Sequence, residues 1–336
     1  MKRTSSTYIV CHLQYSSRTR IRNSNAFGKP RRRNYCIASY GGWMQHNETI
    51  AEEFTAVQRK ESNNTAPIEA DDSVKVDLTS KEELASVFKG KDAVVIAVPK
   101  PKLEDSKPII DAAIAASVKR IVPSEFGTNL ENPLAQKLPI VQPKVAIRRY
   151  LTSVIPSTTS STTWTSINNG PLFEMVFKWG AFGPNLAERK AAFHNGGDRY
   201  VGTSRMSDIG TAVAKVLSPE HFEETKNQPV YIYSTAITER YLTNLAAEVT
   251  GIDFGTVENG KIVDTDTDML VKIADKKMAK GDMSAMFLYY MQIMFGEGYG
   301  GDYRDMAWNE RLGLKTMTEE EIKDFIRQTA KELGVL

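Results

Sequence analysis

Residues 54–122 alternate between apolar segments with the length of strands and segments with helical periodicity. The most apolar segment, residues 92–98, is a nearly continuous run of the kind found in strands buried on both faces. Shorter strand-like segments cover residues 54–60, 73–78 and 120–122, and helical segments separate the last three strands. This order of strand, helix, strand, helix, strand predicts an α/β fold with a doubly wound parallel sheet of the Rossmann type.

The strand at 120–122 stops at Pro123, and four chemically different residues follow at once. Because ligands bind at the carboxyl ends of the strands in an open parallel sheet, residues at these ends are candidate contacts of a cofactor. They are Ser124, Glu125 and Phe126 after this strand, and Val98 and Pro99 at the end of the apolar run. The alternative is an ordinary exit from a strand into a loop.

Two cations, Arg59 and Lys60, end the strand-like segment at 54–60. In dinucleotide-binding folds this position meets the adenosine ribose, where a carboxylate favours NAD and an arginine accommodates the 2′-phosphate of NADP. The pair therefore favours NADP(H), and the alternative is a solvated pair of surface charges. Asp77, at the end of the next strand, and Asn169, in the turn after residues 164–167, complete the candidate cofactor contacts.

A family likeness is carried by residues 90–95, 110–127, Lys144, 164–171 and 208–217. Through them the chain resembles the NmrA-like, isoflavone-reductase-like family of atypical short-chain dehydrogenases, in particular its fungal members. The Pro-Ser-Glu-Phe-Gly element is the most specific part of the likeness. The resemblance implies NADP(H) and the reduction of a small aromatic or phenylpropanoid-like molecule. Some members of the family bind the dinucleotide as redox sensors, so a non-catalytic sensor or regulator is the alternative function.

The resemblance also implies a division of the chain. Residues 54–166 are expected to form the dinucleotide-binding domain, and residues 167–336 a smaller α+β substrate-binding region. A strand near residues 230–233 would interleave the two.

Residues 1–53 do not fit this family pattern. The family's first strand and its G-x-x-G-x-x-G phosphate loop should precede Phe54, but this segment holds only Gly28, Gly41 and Gly42. Residues 35–39 could mimic a first strand, yet too few residues then remain for a crossover helix, which needs about 10–12. We therefore expect the first βα unit to be missing or replaced, as an incorrect gene model would explain, and expect weak dinucleotide binding.

Composition and charge limit the classes of partner and the cellular compartment that we expect for this chain. The formal net charge is +2, but residues 1–53 carry nine lysines and arginines, so the remainder is net negative, which argues against nucleic acid as a partner. No apolar run approaches the roughly 20 residues of a membrane span, and no secretory signal is evident. These observations predict a cytoplasmic enzyme that meets a small-molecule substrate and no membrane. The Arg- and Ser-rich start makes a mitochondrial location the alternative.

Residues that could bind metal are few. Both cysteines, Cys11 and Cys36, lie in the atypical first segment, and no Cys/His spacing is typical of a metal site. We therefore expect no metal.

Two features of the second half of the chain bear on its structure. Residues 284–295 are rich in Met, Phe and Tyr, which suits an adaptable apolar substrate pocket, plain core or a contact in a homodimer. Residues 194–198, with two adjacent glycines, predict the turn of a β-hairpin.

Lys144 is the candidate catalytic residue. Pro143 predicts the start of a helix, which puts Lys144 in its first turn and Arg148 one turn later on the same face. Classical short-chain dehydrogenases carry a proton-donating tyrosine four residues before the lysine, and that position is Ile140 here. The resemblance implies that Lys144 itself is the general acid/base or orients it. The alternative is a surface lysine, and Arg148 and Arg149 are expected to be structural cations.

Overall fold

The computed structural model describes residues 55–63, 70–98 and 100–336, and residues 8–11 as backbone alone. Its strands are β1 Tyr8–Cys11, β2 Thr55–Arg59, β3 Asp72–Val76, β4 Ala93–Ala97, β5 Arg120–Val122, β6 Thr163–Asn168, β7 Gly183–Asn185, β8 Lys190–His194, β9 Val201–Thr203, β10 Gln228–Tyr231, β11 Thr235–Ile237 and β12 Ile262–Thr265. Its helices are α1 Lys81–Phe88, α2 Leu103–Ala115, α3 Gln142–Val154, α4 Phe173–Lys178, α5 Met206–Leu217, α6 Glu239–Thr250, α7 Thr267–Met278, α8 Met286–Phe295 and α9 Glu319–Glu332.

The chain divides into two compact units that alternate along the sequence. The first comprises Met1–Glu125, Pro143–Ile167 and Gly210–Pro229. The second comprises Phe126–Gln142, Asn168–Ile209 and Val230–Leu336.

A seven-stranded sheet has the order β3-β2-β1-β4-β5-β6-β10. The pairs β2–β3, β4–β5 and β5–β6 are parallel. This is the strand order of a doubly wound dinucleotide-binding fold, and it confirms the predicted α/β class. The apolar run predicted as a strand buried on both faces is β4, in which Ala93–Ile96 are fully buried.

The strand between β2 and β4 departs from that fold. β1 is antiparallel to both neighbours, with Cys11 opposite Thr55 and Tyr8 opposite Gln58 and Ala97. The chain therefore leaves β1 at the amino ends of β2 and β4, whereas a phosphate loop follows a parallel first strand at their carboxyl ends. The strand at this position is therefore not the parallel first strand of that fold. Residues 35–39, Gly28, Gly41 and Gly42 lie outside the described residues.

The end of β3 and the start of α1 are joined by hydrogen bonds. Ser80 caps α1 by accepting from the Glu83 backbone N–H at 3.2 Å. Glu83 does not complete the reciprocal half of a capping box, because its carboxylate instead accepts from Lys60 Nζ at 2.6 Å and from the Asp77 N–H at 3.1 Å. Ser80 therefore fixes the start of α1, while the glutamate ties the helix to the ends of β2 and β3.

The second unit has its own apolar core between small sheets and helices. Strands β12, β8 and β7 form one sheet, and β11 pairs with β9. Met291, Met294 and Phe295 of α8 lie in this core, so much of the Met- and aromatic-rich segment is plain core rather than an exposed pocket lining.

The predicted hairpin at residues 194–198 is wrong. β8 pairs with β7 and β12, whereas the following strand, β9, pairs with β11. The Asn195 side chain donates to Thr267 Oγ1 at 2.8 Å and to the Phe295 carbonyl at 3.0 Å, which holds the turn against α7 and α8. The two glycines make a turn with positive φ, but its exit leads to a different sheet.

No helix in the described part of the chain is long and apolar enough to cross a membrane.

Candidate active site

The tips of β4 and β5 are held together by one hydroxyl group. Ser124 Oγ accepts from the Val98 N–H at 3.1 Å and donates to the Val98 carbonyl at 3.0 Å. Both predicted contact residues therefore lie at the carboxyl edge of the sheet, and the serine fixes the spacing of the two tips. Pro99 lies outside the described residues.

Lys144 lies in the first turn of α3, next to the tip of β5. Its ammonium donates to the backbone carbonyl of Glu125. The positive end of the α3 dipole disfavours a cation in this turn, so the Glu125 carbonyl offers partial compensation. The structure thus brings together two of the predicted site residues, Lys144 and Glu125.

Burial of the Lys144 ammonium lowers its pKa to about 8, although the negative charge of Glu125 acts in the opposite direction. Desolvation disfavours the charged form of a lysine, which explains the direction of this change. A lysine with a pKa near the pH of the cell both holds and releases a proton readily, unlike an ordinary surface lysine.

The Glu125 carboxylate is bound by an arginine one helical turn beyond Lys144. Arg148 Nε donates to Glu125 Oε1 at 2.7 Å, and Arg148 Nη2 donates to Glu125 Oε2. The same Nη2 donates to Ser166 Oγ on β6 at 2.7 Å. The guanidinium also lies 4.4 Å from the centre of the Trp164 ring. The Glu125 side chain, only 1% exposed, is therefore neutralised by a bidentate ion pair.

The contacts of Arg148 with Glu125 and Ser166 were not predicted from the sequence. The signal was present, because Lys144 and Arg148 are four residues apart and so share one face of α3. Nothing in the sequence, however, indicated that the carboxylate facing this side of the helix is Glu125.

The cations at the end of β2 have different surroundings. Lys60 pairs with Glu83, and this hydrogen bond raises the pKa of the lysine. The Asp77 carboxylate accepts from the Thr79 N–H at 2.8 Å and from the Thr79 hydroxyl at 2.7 Å, which lowers the pKa of the carboxyl group. Both side chains therefore support the junction of β3 and α1. Arg59 is exposed at the end of β2.

Phe126 and Asn169 belong to the second unit, where the segments that follow β5 and β6 are joined. The Gly170 N–H donates to the Gly127 carbonyl at 2.9 Å, and the Tyr303 hydroxyl donates to the same carbonyl at 3.2 Å. Phe126 is partly exposed, whereas Asn169 is fully buried.

Asn169 offers the observation that tests whether a nicotinamide cofactor fits. Its Nδ2 donates to the Gly170 carbonyl at 2.8 Å, while its buried Oδ1 has no hydrogen-bond partner among the described residues. A buried carbonyl oxygen without a donor is costly, and a ligand amide would satisfy it. The donor that a nicotinamide carboxamide carries fits this residue.

No group of three or more His, Cys, Asp or Glu in the described ranges could hold a metal ion.

Comparison with known proteins gives one family. The model of the NmrA-like family matches residues 58–292. An oxidoreductase of Aspergillus flavus, aprR, is 30% identical over 247 residues, which span 71% of this chain and 78% of that protein.

Solved structures show the same fold. A crystal structure of isoflavone reductase is similar with a TM-score of 0.60 at 18% identity, covering 82% of this chain and 90% of that one. The leucoanthocyanidin reductase–NADPH complex from Vitis vinifera gives a TM-score of 0.60 at 16% identity, covering 80% and 90%. The family match spans well over half of the sequence, and this chain belongs to the NmrA-like family.

Proposed function

We propose that the protein is an NADP(H)-dependent oxidoreductase of the isoflavone-reductase-like type. It reduces a small aromatic or phenylpropanoid-like molecule, and Lys144 is the proton donor. The observation that carries the proposal is the partly buried Lys144, whose ammonium donates to the Glu125 carbonyl at the tip of β5 and has a pKa lowered to about 8. The relatives named as isoflavone reductase and leucoanthocyanidin reductase support the substrate class.

Reduction of a C=C or C=O bond requires a proton donor near the reacting carbon or oxygen. NADPH, when bound, supplies a hydride. Lys144 supplies the matching proton, so that a C=C or C=O bond gains one hydrogen at each end. The Glu125 carbonyl orients the ammonium through the lone pair that accepts its N–H. No tyrosine is needed four residues upstream, where Ile140 lies.

The cofactor contacts that we propose are those predicted from the sequence, except that Lys60 and Asp77 act indirectly. Val98 and Ser124 would flank the cofactor at the strand tips, and Arg59 would meet the 2′-phosphate. Asn169 would accept from the carboxamide, and Phe126 would contact the nicotinamide. Lys60 and Asp77 act indirectly in this proposal, because Glu83 and Thr79 already bind their side chains.

The first expected result is weak binding of NADPH by this chain. β1 runs antiparallel, so the residues after Cys11 leave at the edge opposite to the one where a phosphate loop would lie. The pyrophosphate usually binds backbone N–H groups at a helix amino end, and among the described residues no helix follows β1 at the carboxyl edge of β2 and β4. Calorimetric titration should show weaker binding than for a variant whose residues before Phe54 form a parallel strand and a G-x-x-G-x-x-G loop. Equal affinity would show that residues 1–53 form an adequate phosphate site of their own.

A second expected result concerns the choice between NADPH and NADH. Arg59→Asp should lower the ratio of NADPH affinity to NADH affinity by roughly ten- to a hundredfold, because one charged hydrogen bond to the 2′-phosphate contributes about 1.5–3 kcal/mol. Arg149→Asp is the matched control, since it makes the same change of charge at an exposed site on α3. A ratio unchanged by Arg59→Asp, measured in the chain and in the variant with the loop, would leave Arg59 as a surface charge.

A further inference from the structure

Arg148, on α3, joins the tip of β5 to β6. Its guanidinium binds the Glu125 carboxylate at the tip of β5, the Ser166 hydroxyl on β6, and the face of the Trp164 ring. The Arg148 side chain is 12% exposed and that of Glu125 is 1% exposed, so the pair lies in a largely dry environment. Such a pair is costly to break from one side, because the remaining charge stays buried without a partner.

Glu125 is shared between this pair and Lys144. Its backbone carbonyl accepts from the Lys144 ammonium, and its carboxylate accepts from Arg148 four residues further along the same helix. Two points of attachment, one turn apart on α3, therefore hold one residue at the strand tip. They fix where the Glu125 carbonyl points, and hence where the ammonium lies.

We propose that Arg148 and Glu125 are positioning residues that act through Lys144, with Ser166 and Trp164 holding the guanidinium in place. This inference rests on the proposed role of Lys144 as proton donor. The arginine keeps the Glu125 carboxylate from attracting and over-stabilising the charged ammonium, while the carboxylate offsets the repulsion between the arginine and the lysine.

Groups from the tip of β5, from α3 and from β6 surround Lys144 and its partner Glu125. Glu125 faces it from β5 and Arg148 from its own helix, while β6 contributes the uncharged Ser166. Arg120, on β5, is bound by Thr163 and Thr165 towards the other end of the strand. Changing Glu125 and Arg148 one at a time therefore removes one negative and one positive charge of this group separately.

The test measures the titration of Lys144 in the full chain by NMR of lysines labelled with ¹³C, with the Lys144 signal assigned from its loss in Lys144→Arg. We expect a midpoint of about 8 in the parent. Arg148→Gln should raise the midpoint and Glu125→Gln should lower it, each by at least about 1 pH unit, since neighbouring charges act in opposite directions. Arg148→Lys should restore part of the change, because it returns the charge without the planar fork.

Arg149→Gln is the control and should leave the midpoint unchanged, since Arg149 is exposed on the same helix. A purely structural role predicts something different: water would enter in both variants, and both midpoints would rise towards that of an ordinary lysine. A common rise, or no change in either variant, overturns the proposal. The titration is read without substrate or NADPH, so its result is separate from a failure of the proposed reductase, which would appear as turnover that does not depend on Lys144.

Discussion

Lys144→Ala is expected to lose about 10²- to 10⁴-fold of reductive turnover, the usual contribution of a general acid. The ammonium lies on the Glu125 carbonyl at the tip of β5, and its pKa is lowered to about 8, so it holds and releases a proton near neutral pH. The measurement is the rate of product formation at saturating NADPH, with the free energy of unfolding compared by denaturant titration to show that the fold is intact.

The lowered pKa of Lys144 determines in which direction turnover should change with pH. Reduction requires the protonated lysine, so parent turnover should be highest below a pH of about 8 and should fall as the pH rises through that value. The residual turnover of Lys144→Ala should lack this fall. Arg149→Ala, which removes a charge from the same helix and leaves the ammonium in place, should keep near-normal turnover. Equal rates in all three proteins would mean that water or the substrate supplies the proton.

Gly170→Ala is expected to lower the free energy of unfolding by about 3 kcal/mol or more, because it combines backbone strain with a steric clash. Gly170 has a φ of +63°, and an added Cβ would lie 1.9 Å from the Gly202 carbonyl oxygen. The residue follows Asn169, so the same change would also disturb the turn that carries this candidate cofactor contact. Denaturant titration of the variant and the parent measures the effect.

Gly251→Ala separates the two causes of this effect. Gly251 ends α6 with a φ of +70°, but an added Cβ there would meet nothing within 4 Å. It should therefore cost only the strain of the left-handed conformation, about 1 kcal/mol. If the two variants were equally destabilised, the close approach of Gly170 to Gly202 would contribute nothing to stability.

Strands β4 and β5 of the large sheet were predictable because their local composition indicates burial. Residues 120–122 were predicted as a strand and are β5, and the run at 92–98 contains β4. Helix ends are equally local, since Thr238 caps the start of α6 and Gly251, in the left-handed conformation, ends it. These elements depend on residues within one turn or one strand, which is why a single sequence reveals them.

The features that local sequence patterns did not reveal involve contacts between residues distant in sequence. The turn at 194–198 has the composition of a hairpin, but contacts from Asn195 to α7 and α8 direct its exit to another sheet. Glu83, three residues after Ser80, has the sequence position of a reciprocal cap, but Lys60, 23 residues before it, binds its carboxylate instead.

In the candidate site, too, local sequence indicates some residues, while other contacts depend on residues distant in sequence. The family motif points to Lys144 and to the strand tip at Glu125, while the binding of Glu125 by Arg148 depends on a tertiary contact that no local pattern encodes. Spacing places Lys144 and Arg148 on one face of α3, but it does not say which strand tip that face meets.

Whether the protein reduces a substrate or only senses the dinucleotide is decided most directly by measuring turnover. The full chain would be incubated with a high concentration of NADPH and small aromatic molecules that carry an activated C=C, C=O or benzylic carbon. The account predicts that NADPH is consumed and reduced product appears in equal amounts, and that both are lost in Lys144→Ala. Binding of NADPH with no consumption across such molecules, in the chain and in the variant carrying the Gly-rich loop, would contradict it and favour a sensor.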